Sequence, residues 1–227
     1  MINICFDLDG PIIDVSDRYY RAYLESLKGF DIDKSYILTK DKFWQLRQNR
    51  VPDSEIGLLS GLTIKEAKES AELRKGLTFK TEHLVLDKLF NDVYETLDYL
   101  KSKSITFFIA TLRRRSQLDI AIKQFKLSRY FPERNLFSLS NEQKVQEDIQ
   151  EKYTLFFNAI NTLGLNPLES YVIGDSDTDI HAGRLAKYKK VVAITRGIRS
   201  KEQLEILKPD HIVSNLKEFL SFLTANL

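Results

Sequence analysis

One cysteine and three scattered histidines in 227 residues leave no disulfide framework and no thiol or imidazole spacing for a zinc site. An excess of charge is also missing. With 34 Lys and Arg against 32 Asp and Glu, the chain lacks the basic field on which nucleic-acid binding draws. Nor does any apolar run reach the length of a bilayer span. The first, Ile2 to Leu8, is broken by an aspartate, is followed at once by another at Asp9, and has no basic flank of the kind that opens a secretion signal. These absences point to a protein of the reducing cytoplasm, with neither nucleic acid nor membrane as partner. At 43% hydrophobic residues the chain can bury a core of ordinary size and a smaller second unit besides.

Short apolar, β-branched and aromatic runs recur along the chain at Ile2 to Leu8, Ser104 to Ala110, Tyr171 to Gly174 and Lys189 to Thr195, with a weaker one at Asn135 to Leu139. Amphipathic stretches separate them, among them Phe90 to Ser102 and a helix ending at Leu163. Strands alternating with helices of this length predict an α/β fold with an open, mostly parallel sheet, whose ligands bind beyond the carboxyl ends of the strands. Residues 15–83 break the alternation and carry helical periodicity only. Helices are expected there to begin near Asp41, Asp53 and Thr63, and Gly76 is positioned to end one of them. An inserted α-helical cap (15–83) within a core made of 1–14 and 84–227 is the resulting division, with Trp44 packed inside the cap.

Asp7 and Asp9 occupy alternate positions where the first apolar run stops, so both side chains leave one face near the sheet edge. Asp175, Asp177 and Asp179 follow another such run, before a helix expected to start near Thr178. Each group reads either as solvated turn residues or as half of an oxygen-only cation site; two groups at one sheet edge suit Mg²⁺. Thr111, after the Ser104 run, can cap the next helix or donate to an anion. Lys152 stands near the start of a helix whose dipole it opposes, which points to a functional cation or to an ordinary surface lysine, with Lys144 a nearby competitor. Arg113, in the run Arg113 to Arg115, can face phosphate or solvent, and Arg47 and Arg50, near the single tryptophan, can grip a substrate or coat a surface. Cys5 reads as a small core residue, and His83, His181 and His211 as structural or surface groups.

In chain order, Asp7-Leu8-Asp9-Gly10, Ile109-Ala110-Thr111, Lys152 and Gly174-Asp175 through Asp179 resemble the four motifs of the haloacid dehalogenase superfamily. Gly164-Leu165-Asn166-Pro167 before YVIGDSDTDIHAG, and Thr195-Arg196-Gly197 before SKEQLEILKPDHIV, resemble its phosphoglycolate-phosphatase-like branch. The resemblance implies a Rossmann-like sheet with helices on both faces and a cap inserted between the first two motifs. It implies that Asp7 attacks phosphorus, that Asp9 protonates the leaving oxygen and then activates water, and that Thr111 and Lys152 hold phosphate oxygens. Mg²⁺ would be bound by Asp7, the carbonyl of Asp9 and Asp175, with Asp179 orienting them. Pro11 stands where the family usually has a threonine whose hydroxyl braces the first loop, and Leu185-Ala186-Lys187-Tyr188 lacks the usual alanine-glycine helix ending. The expected activity is hydrolysis of a small phosphorylated metabolite by a monomer or homodimer. The rivals are a phosphosugar mutase using the same aspartates and a non-catalytic binding protein that keeps the fold; Asp9 disfavours a dehalogenase.

Overall fold

The computed structural model describes residues 2–144 and 147–226. The chain divides into two compact units, Met1–Asp14 with Leu89–Leu227, and Val15–Lys88.

The first unit is an α/β sheet of Rossmann-like type. Its strands are β1 (Asn3–Phe6), β2 (Thr106–Arg114), β3 (Leu136–Leu139), β4 (Ser170–Gly174), β5 (Lys190–Ile194) and β6 (His211–Val213). They lie in the order β3-β2-β1-β4-β5-β6, and every neighbouring pair is parallel. Alternation along β1 shows why the runs are apolar throughout. Cys5 joins a core with Leu155, Phe156, Ile180 and Leu204 from helices on one face, while the Phe6 ring meets Phe219 of helix Leu216–Thr224, 6.2 Å between centroids. Because β2 lies on one side of β1 and β4 on the other, the strand order reverses at β1, which opens a crevice beyond the carboxyl ends of these three strands.

Several elements differ from the sequence reading. Strand β1 stops at Phe6, so Asp7 opens a tight turn in which the Ile12 and Ile13 amides both donate to Leu8 O and Gly10 N donates to Ile13 O. Gly10 takes φ +87°, a left-handed value that its lack of a side chain permits. Strand β2 runs on to Arg114 through an irregularity after Thr111, so Thr111 lies within the strand and does not cap the helix Arg115–Gln124. The helix after β4 is Asp177–Leu185, one residue earlier than expected, because Ser176 and Asp179 form a capping box. Strand β6 is short and at the sheet edge, and its run is too brief to stand out in the sequence.

The second unit holds helices Ser16–Ser26, Lys40–Gln48, Asp53–Leu59, Ile64–Thr78 and Thr81–Leu84. Tyr23, Phe43, Ile56, Leu62 and Ala67 form its core, against which Trp44 packs. Thr63 caps its helix through a capping box with Glu66, as its residue type suggests. Asp41 does not cap; Thr39 does. Asp53 makes no cap bond either, because its carboxylate accepts from Arg47 Nη1 at 2.6 Å and pairs with Arg74. Gly76 lies inside a helix that continues to Thr78. The unit runs to Lys88 and not to residue 83, since the Thr81–Leu84 turn buries Leu84 and His83, whose Nδ1 meets Leu77 O at 2.7 Å. Among the described residues, no helix is long and apolar enough to cross a membrane.

Candidate active site

Local register brings the acidic residues together. Phe6 is level with Ile109 of β2 and Ile173 of β4, and Asp7 N still donates to Ile173 O at 2.9 Å. Asp7 therefore leaves β1 beside the end of β4 and the middle of β2, and Asp175 follows Gly174 where β4 ends. Asp7, Asp175 and Asp179 are all buried, and each offers one oxygen within 4.8 Å of the others'.

Lys152 answers part of this charge. Helix Asp148–Leu163 buries Lys152, Leu155, Phe156 and Ala159, the i, i+3, i+4, i+7 face, so its lysine points inward with the apolar residues. Its Nζ lies 2.8 Å from Asp7 Oδ1 and 2.8 Å from Asp179 Oδ1. Lys144 is exposed. Burial alone would lower the Lys152 pKa, but Asp179 and Asp7 outweigh it and hold the ammonium above its ordinary value. Burial pushes the Asp7 carboxyl up to about 7, with Lys152 opposing and Asp179 and Asp9 adding to the rise. Asp175 is likewise held well above the usual carboxylate range, by burial first and then by Asp179 and Asp7.

Three buried carboxylates thus lie together, and the one ammonium pairs with two of them, Asp7 and Asp179. Asp179 is committed: one oxygen meets Lys152 and the other accepts from Ser176 Oγ at 2.6 Å. Asp7 and Asp175 are the oxygen donors best placed for a cation. An all-oxygen, doubly underneutralised cluster fits a hard divalent ion such as Mg²⁺, and the backbone leaves no room for a competing side chain: a Cβ on Gly10 would fall 2.3 Å from Asp175 Cγ.

Asp9 meets Arg113, whose Nε and Nη2 lie 2.8 and 2.7 Å from Asp9 Oδ1. Arg113 is almost fully buried, so the structure places it on a site carboxylate and not on an open surface. Thr111 is buried on β2, and its Oγ1 accepts from Arg113 N at 3.2 Å. Asp7, Asp9, Thr111, Arg113, Lys152, Asp175 and Asp179 therefore all belong to the first unit. Arg47 and Arg50 belong to the second. Arg47 pairs with Asp53, while Arg50 is exposed just past helix Lys40–Gln48 at φ 62°. Cys5 is fully buried, and burial pushes its thiol up, which leaves it inert. His83 is buried within the second unit, and the His211 ring stacks on Phe222. The sequence reading missed Ser176, which holds Asp179, and Ile198, whose amide donates to Asp175 Oδ2 at 2.5 Å. A serine at an N-cap three residues before an aspartate was a readable signal; a backbone amide carries none.

A family model described as haloacid dehalogenase-like hydrolase matches residues 4–193. Among curated proteins, the chain is 25% identical over 221 residues to pyrophosphatase PpaX of Bacillus velezensis, covering 96% of this chain and 94% of that one. It is 24% identical over 226 residues to the phosphorylated carbohydrates phosphatase of Thermotoga maritima, covering 96% and 99%. Among solved structures, a haloacid dehalogenase-like family hydrolase from Streptococcus pneumoniae superposes with a TM-score of 0.69 at 23% identity, over 97% of each chain.

Proposed function

The chain belongs to the haloacid dehalogenase-like hydrolase family, and from that premise we propose that it is a Mg²⁺-dependent phosphatase that hydrolyses a small organic phosphomonoester through an aspartyl-phosphate on Asp7. The observation that carries this reading is the convergence of Asp7, Asp175 and Asp179 with Lys152 at the carboxyl edge of the sheet, where its strand order reverses. The names of the relatives, a pyrophosphatase and a phosphorylated carbohydrates phosphatase, support a phosphorylated small molecule as substrate.

Asp7 attacks phosphorus, and the bond from phosphorus to the leaving oxygen breaks as Asp9 gives that oxygen a proton. Water then attacks the same phosphorus, Asp9 takes its proton, and the bond to Asp7 breaks to release phosphate. Lys152 and Thr111 hold phosphate oxygens, Asp179 fixes Lys152, and Arg113 fixes the carboxylate of Asp9. Asp7, the Asp9 carbonyl and Asp175 would hold Mg²⁺. When bound, the ion offsets repulsion between an anionic nucleophile and an anionic phosphoryl group. Residues 15–88 serve as the cap, in which Arg47 and Arg50 are the groups for the non-transferred end of the substrate.

Phosphate release from a panel of phosphorylated metabolites and pyrophosphate, with Mg²⁺ or with chelator, tests the reading. Release is expected with Mg²⁺ only, and acid-quenched protein should carry label on the peptide containing Asp7. Asp7→Asn should give neither turnover nor label; Asp9→Asn should slow both steps, each by about 10²- to 10⁴-fold. Label on another residue, or release from no substrate by folded protein, overturns it.

A further inference from the structure

Beyond the motif residues, one arginine gathers contacts to the turn that carries Asp7 and Asp9. Arg196 Nε donates to Gly10 O at 3.3 Å, and Nη2 donates to Pro11 O. Nη1 donates to both carboxylate oxygens of Asp92, at 2.7 and 2.9 Å. Asp92 Oδ2 also accepts from Leu216 N at 2.8 Å, and the guanidinium carbon sits 3.9 Å from the Phe90 ring centroid. All three guanidinium nitrogens are thus used, and the fork is fixed from behind.

The carbonyls it meets are the ones the turn does not use itself. The turn's own bonds run to Leu8 O and Ile13 O, while Gly10 O and Pro11 O point to Arg196. Pro11 offers neither an N–H nor a hydroxyl to brace the turn from within. Two residues after Arg196, the Ile198 amide donates to Asp175 Oδ2. Between them Gly197 passes so close that a Cβ would fall 1.9 Å from the same oxygen. The stretch follows β5, and β4 lies between β5 and β1, so it reaches across the end of β4 to the β1 turn.

We propose that Arg196-Gly197-Ile198 ties the loop of Asp7 and Asp9 to the loop of Asp175, with Arg196 the positioning residue that sets the place of the nucleophile. The catalytic part of this rests on the phosphatase reading. Misplacing a reacting group by about 1 Å costs roughly 10²-fold in rate. An ammonium cannot span two carbonyls and a bidentate carboxylate, so lysine is not a conservative replacement here.

The test compares wild type, Arg196→Ala and Arg196→Lys by phosphate-release kinetics on the best substrate of the panel, by calorimetry, and by hydrogen exchange of peptides covering residues 8–14. Expected for both variants is a kcat lower by about 10²-fold with KM within about threefold, and faster exchange in residues 8–14 with strand β4 unchanged. Added guanidinium should restore part of kcat to Arg196→Ala and none to Arg196→Lys. If Arg196→Ala does not fold, Arg196→Lys, which keeps a charge beside Asp92, carries the test. A folded variant with kcat within twofold of wild type, a loss confined to KM, or unchanged exchange in residues 8–14 overturns the proposal. A wild type that releases no phosphate sinks the phosphatase reading and with it the catalytic half of the proposal, while exchange still decides whether Arg196 braces the turn.

Discussion

Raising the pH of the metal-free protein from 5 to 8 should destabilise the first unit, and Mg²⁺ should reverse that loss. The Asp7 carboxyl moves from an ordinary 3.8 to about 7, so between those values the folded chain binds a proton that the unfolded chain has released. Stability then falls as pH rises through that window. Asp175 is shifted in the same direction, and Lys152, held above its ordinary value, stays charged in both states below pH 9 and adds no slope. About two of those pH units, from 5 to 7, lie within this change, and at 1.36 kcal/mol each they set a ceiling of about 3 kcal/mol. Loop relaxation and water entry reduce it to about 2 kcal/mol, which for a chain of this size is a fall in Tm of about 4–8 °C. Scanning calorimetry in chelator is the assay of choice, since Trp44, the single tryptophan, reports on the second unit. At pH 8 Mg²⁺ should raise Tm by more than at pH 5, where protons compete for the same oxygens, and Asp7→Asn should shrink both the slope and the Mg²⁺ effect. A metal-free Tm that is flat or rises from pH 5 to 8, or a Mg²⁺ shift equal at both ends, refutes the reasoning.

Lys152→Met removes the partner shared by Asp7 and Asp179, so metal-free protein should lose about 3 kcal/mol at pH 7 and regain much of it at pH 5, with phosphate release down by 10³-fold or more at about 1.4 kcal/mol per decade. Calorimetry at the two pH values checks the first part, and wild-type stability at pH 7 would contradict it. Arg47→Ala leaves Asp53 paired with Arg74, so the fold should hold to about 1 kcal/mol while KM rises and kcat changes little. An unchanged KM in Arg47→Ala and in Arg50→Ala removes both from substrate binding.

Elements whose residue types suffice for their geometry were legible in the sequence. The buried runs around Phe6, Ile109 and Ile173 announce a parallel core because they are apolar on both faces, and Thr63 announces a helix start because its hydroxyl can reach Glu66 N. Two cap roles failed, for different reasons. A helix does open at Asp53, yet two arginines take its carboxylate and it makes no cap bond; Gly76 suits a helix end, yet the helix continues, since glycine permits a left-handed turn without compelling one. The choice between Lys152 and Lys144 was open to periodicity: Lys152 shares the i, i+3, i+4, i+7 face of Leu155, Phe156 and Ala159, and a lysine on an apolar face needs a buried anion. Arg113 could not be placed from sequence, because a run of three arginines hides which member the strand turns inward.

The placement of the aspartates depends as much on missing side chains as on the carboxylates themselves. A Cβ on Gly10 would meet Asp175 Cγ at 2.3 Å, one on Gly174 would meet Asp179 Cβ at 2.3 Å, and one on Gly197 would meet Asp175 Oδ2 at 1.9 Å. Three backbone segments from three parts of the chain therefore close around two acidic side chains, whose mutual repulsion and burial both favour opening. Hydrogen bonds from Ile198 N and from Ser176 hold them there, while Lys152 and Arg113 each neutralise one charge from outside the acidic loops. Such packing leaves the aspartates few positions other than the ones seen, which is the condition for a preorganised anionic nucleophile and cation site. It also explains why chemistry-bearing residues alone under-describe the site. In the proposed mechanism the motif aspartates supply the reacting atoms, and Gly10, Gly174, Gly197 and Arg196 would decide whether those atoms stand close enough together to do so.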